Sequence, residues 1–175
     1  DKVQHTIILA RDRYGIKPLY YSDLNNQFVW ASELKAIQNF YESDNLLVID
    51  YTSIYDFLTY QYIPTPKSLY INVYKLEPAH YLTIDLRSNT SKKTKYWNLN
   101  IIECDDDLAT ASSKIIDLLK DSIKEQMVAD VPIGFFLSGG LDSSLVVALA
   151  SEFNKSINTF SIGFPNTSHD ESKYA

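Results

Sequence analysis

Near the end of the chain, Ser138, Gly139, Gly140, Leu141, Asp142, Ser143 and Ser144 place glycines, hydroxyls and a carboxylate side by side, between an apolar run and an apolar helical pattern. A strand-to-helix turn of this composition is suited to holding an anion. Glycines let backbone N–H groups approach a phosphate, a helix N-terminus adds about half a positive charge, and serine hydroxyls add donors. Asp142 has the wrong charge for an anion. Its carboxylate fits either a helix cap or an oxygen ligand for Mg²⁺ that bridges to phosphate oxygens. The plainer reading of the same residues is a glycine-rich turn with Asp142 and the serines as ordinary caps.

The spacing narrows the chemistry. No lysine follows the glycines, so the turn is not the GxxxxGK[ST] loop of kinases and many NTPases, and it is not the GxGxxG of dinucleotide folds. A loop without that lysine, holding linked phosphates and a metal, suits attack at the α-phosphate with pyrophosphate leaving.

Strand, turn, helix and strand must position these groups: Ile133 to Leu137, Ser138 to Asp142, Ser143 to Phe153 and Ile157 to Phe164. Apolar strands flanking an apolar helix predict a buried parallel βαβ unit. Before it, Leu108, Ala111, Ile115, Leu118, Leu119, Ile123 and Met127 recur at helical spacing from Asp107 onward. The first half of the chain reads differently. Thr6 to Ala10, Leu19 to Ser22 and Phe28 to Ala31 are short β-rich runs separated by turn signals at Gly15 with Lys17-Pro18 and at Asp23 to Gln27. Glu33 to Phe40 predicts a helix, as does Asp50 to Tyr60, with Asp50 as N-cap and Ile54, Phe57 and Leu58 on one face. Short strands follow at Asn72 to Lys75 and Tyr81 to Leu86. The polar stretch Arg87 to Lys95 and the acidic knot Asp105 to Asp107 then mark a domain boundary, with Lys92, Lys93 and Lys95 on a solvated linker surface.

With 45% hydrophobic and 22% charged residues, the chain is globular rather than disordered. A net charge of −6 without a basic stripe disfavours nucleic acid and anionic membranes as partners. The longest apolar runs fall well short of the ~20 residues of a membrane span. Cys104, the single cysteine, cannot form an internal disulfide, and a reducing, cytoplasmic setting is the expectation. His5, His80 and His169 lack metal-ligand spacing. Arg11, Asp12 and Arg13 read as a structural ion pair, and Ser168 with Glu171 as a capping box that explains Asp170 as well. The thirteen tyrosines read as strand packing rather than as a stacking platform. The only methionine is Met127, a strand begins almost at residue 1, and a helix starts at Ser172 to Ala175, so the expectation is an internal piece of a longer protein.

SGGLDSS after an apolar strand resembles the pyrophosphate-binding loop of the N-type ATP pyrophosphatases, which include asparagine, GMP, NAD and argininosuccinate synthetases and tRNA-modifying enzymes. The loop marks the superfamily. RDRYGIKPLYY (Arg11 to Tyr21), ASELKA (Ala31 to Ala36), YQYIPTP (Tyr60 to Pro66), Lys95 to Trp97 and ADVPIGFFL (Ala129 to Leu137), in that order, are similar to glutamine-hydrolysing asparagine synthetases over essentially the whole chain.

The resemblance implies an α+β Ntn-hydrolase-type sheet portion, the C-terminal part of a glutaminase domain, over residues 1–96. A linker over 97–106 would lead to the start of an α/β, adenine-nucleotide α-hydrolase-like (N-type ATP pyrophosphatase) domain over 107–175. The implied reaction adenylates the aspartate side chain with ATP, giving β-aspartyl-AMP, and ammonia released from glutamine then displaces AMP. By the same resemblance, Ser138, Gly139, Gly140, Asp142, Ser143 and Ser144 hold pyrophosphate and its Mg²⁺, while Leu137 and Ile162 contact the adenine and ribose. The implied partners are aspartate, glutamine or ammonia, and ATP, with no nucleic acid and no membrane; a homodimer is allowed by this reading. Cys104 does not match the family's nucleophile, which is the first residue of the mature chain, and no complete catalytic set lies within these residues. Relatives that amidate another carboxylate, close a β-lactam ring, or bind nucleotide without catalysis stay open, because the acceptor pocket is built from residues past 175.

Overall fold

The computed structural model describes residues 1–42, 44–164 and 174. They form two compact units, Asp1–Ile101 and Ile102–Ala175. The expectations on Ser168, His169, Asp170, Glu171 and a helix at 172–175 lie, Tyr174 apart, outside the described residues.

The first unit runs β1 (Thr6–Ala10), β2 (Tyr20–Leu24), β3 (Gln27–Ala31), α1 (Leu34–Tyr41), α2 (Tyr51–Tyr60), β4 (Val73–Lys75), β5 (His80–Asp85) and β6 (Thr90–Lys95). Its strands form two antiparallel sheets, ordered β1-β5-β6 and β3-β2-β4. The β2–β3 register pairs Leu24 with Gln27, leaving Asn25-Asn26 as a two-residue loop. Both asparagines have positive φ, 54° and 61°. That is the requirement of a type I′ hairpin turn, which asparagine meets more cheaply than other side-chain-bearing residues.

Alternation along β2 and β3 gives their sheet two apolar faces. Tyr21 and Phe28 pack against Leu9, Leu76, Leu82 and Ile84, whereas Tyr20, Leu24, Val29 and Ala31 face Ile37 and Tyr41 of α1. Leu76, Ile37 and Tyr41 are fully buried, each removing about 1.5–3 kcal/mol worth of apolar surface from water. The Tyr41 hydroxyl donates to the Gln27 carbonyl at 3.0 Å, so its polar end is satisfied inside the core.

Several sequence expectations require correction here. Arg87 to Lys95 is not a linker: residues Thr90–Lys95 form β6, paired along its length with β5. The turn before it is built locally, because the Asp85 carboxylate accepts the N–H groups of Arg87 and Ser88 and Asn89 takes φ 52°. An edge strand needs no apolar alternation, and its lysines keep other strands from pairing with it. Arg11 and Asp12 form no ion pair with each other among the described residues. Arg11 instead donates to the carbonyls of Lys17 (3.0 Å), Leu76 (2.6 Å) and Gly15 (2.8 Å). Asp12 accepts the N–H groups of Tyr14, Ile16 and Lys17. Asp50 caps α2 as expected, accepting from Thr52 N at 2.9 Å, yet the packed side of that helix is Ser53, with Phe57 and Leu58 exposed. Only Tyr20, Tyr21, Tyr74 and Tyr81 lie in strands; Tyr51, Tyr55 and Tyr60 are exposed on α2.

The second unit runs α3 (Leu108–Gln126), β7 (Gly134–Phe136), α4 (Leu141–Phe153) and β8 (Asn158–Phe160). Asp107 caps α3, accepting from Thr110 N at 2.8 Å. Ile123 of α3 meets Leu149 and Ala150 of α4, with Phe135 and Ile157 beneath them, and Lys120 pairs with Glu152 at 2.7 Å. β7 and β8 are parallel, as the sequence predicts. They are not the buried strands expected: Phe136 is 80% exposed and β8 is exposed throughout, because the helices cover a single face of a two-stranded sheet. Among the described residues no helix is long and apolar enough to cross a membrane.

Candidate functional site

The parallel pair ends where the candidate residues begin. Leu137 follows β7 directly and its N–H donates to the Phe160 carbonyl at 2.9 Å, one step beyond the Phe136–Phe160 register pair. Ile162 lies two residues past the end of β8 and is 71% exposed. Leu137 and Ile162 therefore stand at the carboxyl ends of adjacent parallel strands. In open α/β sheets that edge is where ligands bind.

Between Leu137 and α4 the chain makes its turn with Gly139 at φ 82°, a conformation that favours glycine. Gly140 is the N-cap of α4 and makes no side-chain cap. The carbonyl of Gly140 accepts Ser144 N at 3.0 Å, and the N–H groups of Leu141, Asp142 and Ser143 in the first turn have no intrahelical acceptor. Leu141 and Asp142 are exposed and Ser143 is half-buried, so the partial positive charge of the helix end lies at the surface.

The hydroxyls of Ser138 and Ser143 lie 3.0 Å apart. Ser143 Oγ also accepts Ser138 N (3.3 Å) and donates to the Gly140 carbonyl (3.1 Å). The serines thus brace the turn, and a ligand must exchange these bonds rather than meet free donors. Asp142 is the first-turn acid of α4 and is exposed. It occupies the turn after the cap position, so the helix-cap reading is incorrect, and it accepts no hydrogen bond among the described residues. An unengaged carboxylate oxygen is the donor type that Mg²⁺ prefers.

The structure therefore brings Ser138, Gly139, Gly140, Asp142, Ser143 and Ser144 onto one turn, with Leu137 and Ile162 flanking it. Sequence reasoning missed Ser161. Its hydroxyl donates to the Leu137 carbonyl at 2.6 Å, and nothing in the string of a strand-like run marks it. Cys104 is exposed and lies outside this turn in sequence. Among the described residues no group of His, Cys, Asp and Glu could by itself hold a metal ion.

Comparison with known proteins finds two family matches along the chain. Residues 1–97, more than half of it, match the family described as Glutamine amidotransferase domain, and residues 114–175 match Asparagine synthase. The chain is 36% identical to Asparagine synthetase [glutamine-hydrolyzing] 1 of Bacillus subtilis (strain 168), over 98% of its own length and 26% of that protein. It is 39% identical to Putative asparagine synthetase [glutamine-hydrolyzing] 2 of Methanocaldococcus jannaschii, over 99% of its length and 34% of the relative. To Asparagine synthetase [glutamine-hydrolyzing] 2 of B. subtilis it is 33% identical, over 100% and 25%. The chain thus spans between a quarter and about a third of these relatives. The chain belongs to the glutamine amidotransferase domain family, and over nearly its whole length it is similar to glutamine-hydrolysing asparagine synthetases.

Proposed function

We propose that the protein containing this chain is an ATP-dependent amide ligase. It adenylates the side-chain carboxylate of aspartate and passes ammonia from glutamine to that carbon, releasing AMP and pyrophosphate. The observation that carries the reading is the turn 138–144, whose open first-turn N–H groups lie at the carboxyl edge of a parallel sheet. In this reading residues 1–96 are the C-terminal part of an Ntn-hydrolase-type glutaminase domain, 97–106 a linker, and 107–175 the start of an ATP pyrophosphatase domain.

Each group has a distinct task. Main-chain N–H groups of Leu141, Asp142 and Ser143, with the hydroxyls of Ser138, Ser143 and Ser144, take the oxygens of the leaving pyrophosphate. Fixed dipoles there stabilise charge that grows as the P–O bond breaks, without reorganisation during the step. Leu137 and Ile162 lie against the adenosine. Asp142 fits an oxygen ligand for Mg²⁺, which when bound neutralises phosphate charge. The amidotransferase match and the names of the relatives support glutamine as nitrogen donor.

The test uses the protein of the complete reading frame: pyrophosphate release from ATP with Mg²⁺ and ammonia, with and without aspartate. Aspartate-dependent release with asparagine formed is the expected result. Asp142→Ala should lower that release at least a hundredfold, the scale of losing a group that stabilises transition-state charge, while glutamine hydrolysis persists. Undiminished pyrophosphate release would refute the role of Asp142. Release without aspartate dependence would move the acceptor to another carboxylate.

A further inference from the structure

Ser161 holds the entrance of the turn. Phe136 and Phe160 are register partners, so the parallel ladder next requires the Leu137 carbonyl to accept a main-chain N–H from beyond Ser161. Among the described residues none does so. The carbonyl accepts Ser161 Oγ at 2.6 Å instead, while the Leu137 N–H keeps its ladder bond to Phe160 at 2.9 Å. A side chain has replaced the last main-chain bond, so β8 can diverge from β7 without releasing Leu137.

The peptide plane transmits this bond into the turn. The Leu137 carbonyl and the Ser138 N–H belong to one planar unit, and fixing one fixes the direction of the other. Ser138 N–H points at Ser143 Oγ, the hydroxyl that also braces Gly140. The next residue after Ser161 is Ile162. One hydroxyl therefore sets the orientation of the first peptide of the turn, whose N–H braces Ser143, and the spacing of the two strand ends that flank the turn.

We propose that Ser161 is a positioning residue for nucleotide binding: its hydroxyl, through the Leu137 carbonyl, pre-orients the 138–144 turn for pyrophosphate. This rests on the reading of that turn as the ATP site. The experiment uses the full-length protein and its Ser161→Ala and Ser161→Thr variants. Equilibrium binding of magnesium pyrophosphate and of ATP is read by calorimetry, beside KM for ATP and kcat in pyrophosphate release. Ser161→Ala is expected to raise both dissociation constants and the KM roughly three- to tenfold, the fold-change of one lost neutral hydrogen bond, with a smaller effect on kcat. Ser161→Thr, which keeps the hydroxyl, should restore them. Wild-type-like binding by Ser161→Ala, or equal impairment of both variants, overturns the role of the hydroxyl. A wild-type protein that binds neither probe overturns the reading of the turn itself.

Discussion

Replacing Arg11 tests whether backbone carbonyls, rather than an ion pair, are what this residue serves. The guanidinium spans three chain segments: the end of β1 that carries it, the turn holding Gly15 and Lys17, and the link after β4 that begins at Leu76. Two of its bonds, to Leu76 O and Gly15 O, are part-buried, and Leu76 itself is fully buried. Hydrogen bonds from a charged donor contribute about 1.5–3 kcal/mol each, so taking the low end for these two and discounting the exposed third gives roughly 3 kcal/mol for Arg11→Met. Arg11→Lys can reach only one of the carbonyls with a point donor, and about half of that loss should remain. Trp30 and Trp97 both belong to the first unit, so tryptophan fluorescence reads its unfolding and is silent to the second. Trp97 also packs edge-on against Tyr14, with ring centroids 5.3 Å apart, which couples the signal to this turn. At a slope of about 2 kcal/mol/M the urea midpoint should fall by roughly 1.5 M in Arg11→Met and half that in Arg11→Lys. A lysine variant as stable as wild type would refute the multi-carbonyl account, since a single charge would then suffice.

Leu76→Ala should cost about 2–5 kcal/mol by the same fluorescence assay, because Leu76 is fully buried against Leu9 of β1 and Leu82 and Ile84 of β5; a loss under about 1 kcal/mol would show that the cluster collapses around the gap. Asp12 has its carboxyl held below the usual value of 3.8 by the N–H groups of Lys17 and Ile16 above all. A depressed carboxyl stabilises the fold above its unfolded pKa and loses that contribution as pH falls through the lower folded value. Asp12→Asn should therefore lower the midpoint at neutral pH, begin to converge on wild type as pH falls below about 3.8 and meet it only below the lower folded pKa, with some acid sensitivity of this unit left from Asp50 and Asp85, which are depressed likewise. Curves that stay parallel through the whole acid unfolding transition would remove Asp12 from it.

The sequence was most informative where local chemistry acts alone. Asp107 before a helical repeat, Asp50 before α2, and glycines between an apolar strand and an apolar helix each specify their element, because caps and turns are made within a few residues. The same locality made the glycine- and serine-rich turn between β7 and α4 legible, and the order of segments from RDRYGIKPLYY to SGGLDSS pointed to the family. Polar β6 escaped because an edge strand is defined by its partner β5 and carries no periodicity of its own.

What the chain determined by itself was composition, the type of those elements that carry a local cap, turn or period, and the inventory of groups at residues 137–144. Only the tertiary structure decided which groups meet. Arg11 reaches Leu76 across 65 positions and Ser161 reaches Leu137 across 24. Neither pairing has a sequence period, since each depends on the register between strands that long-range packing sets. The buried side of α2 was decided the same way: Phe57 and Leu58 have the apolar character to be inside, yet they are exposed and Ser53 is the buried residue of that helix.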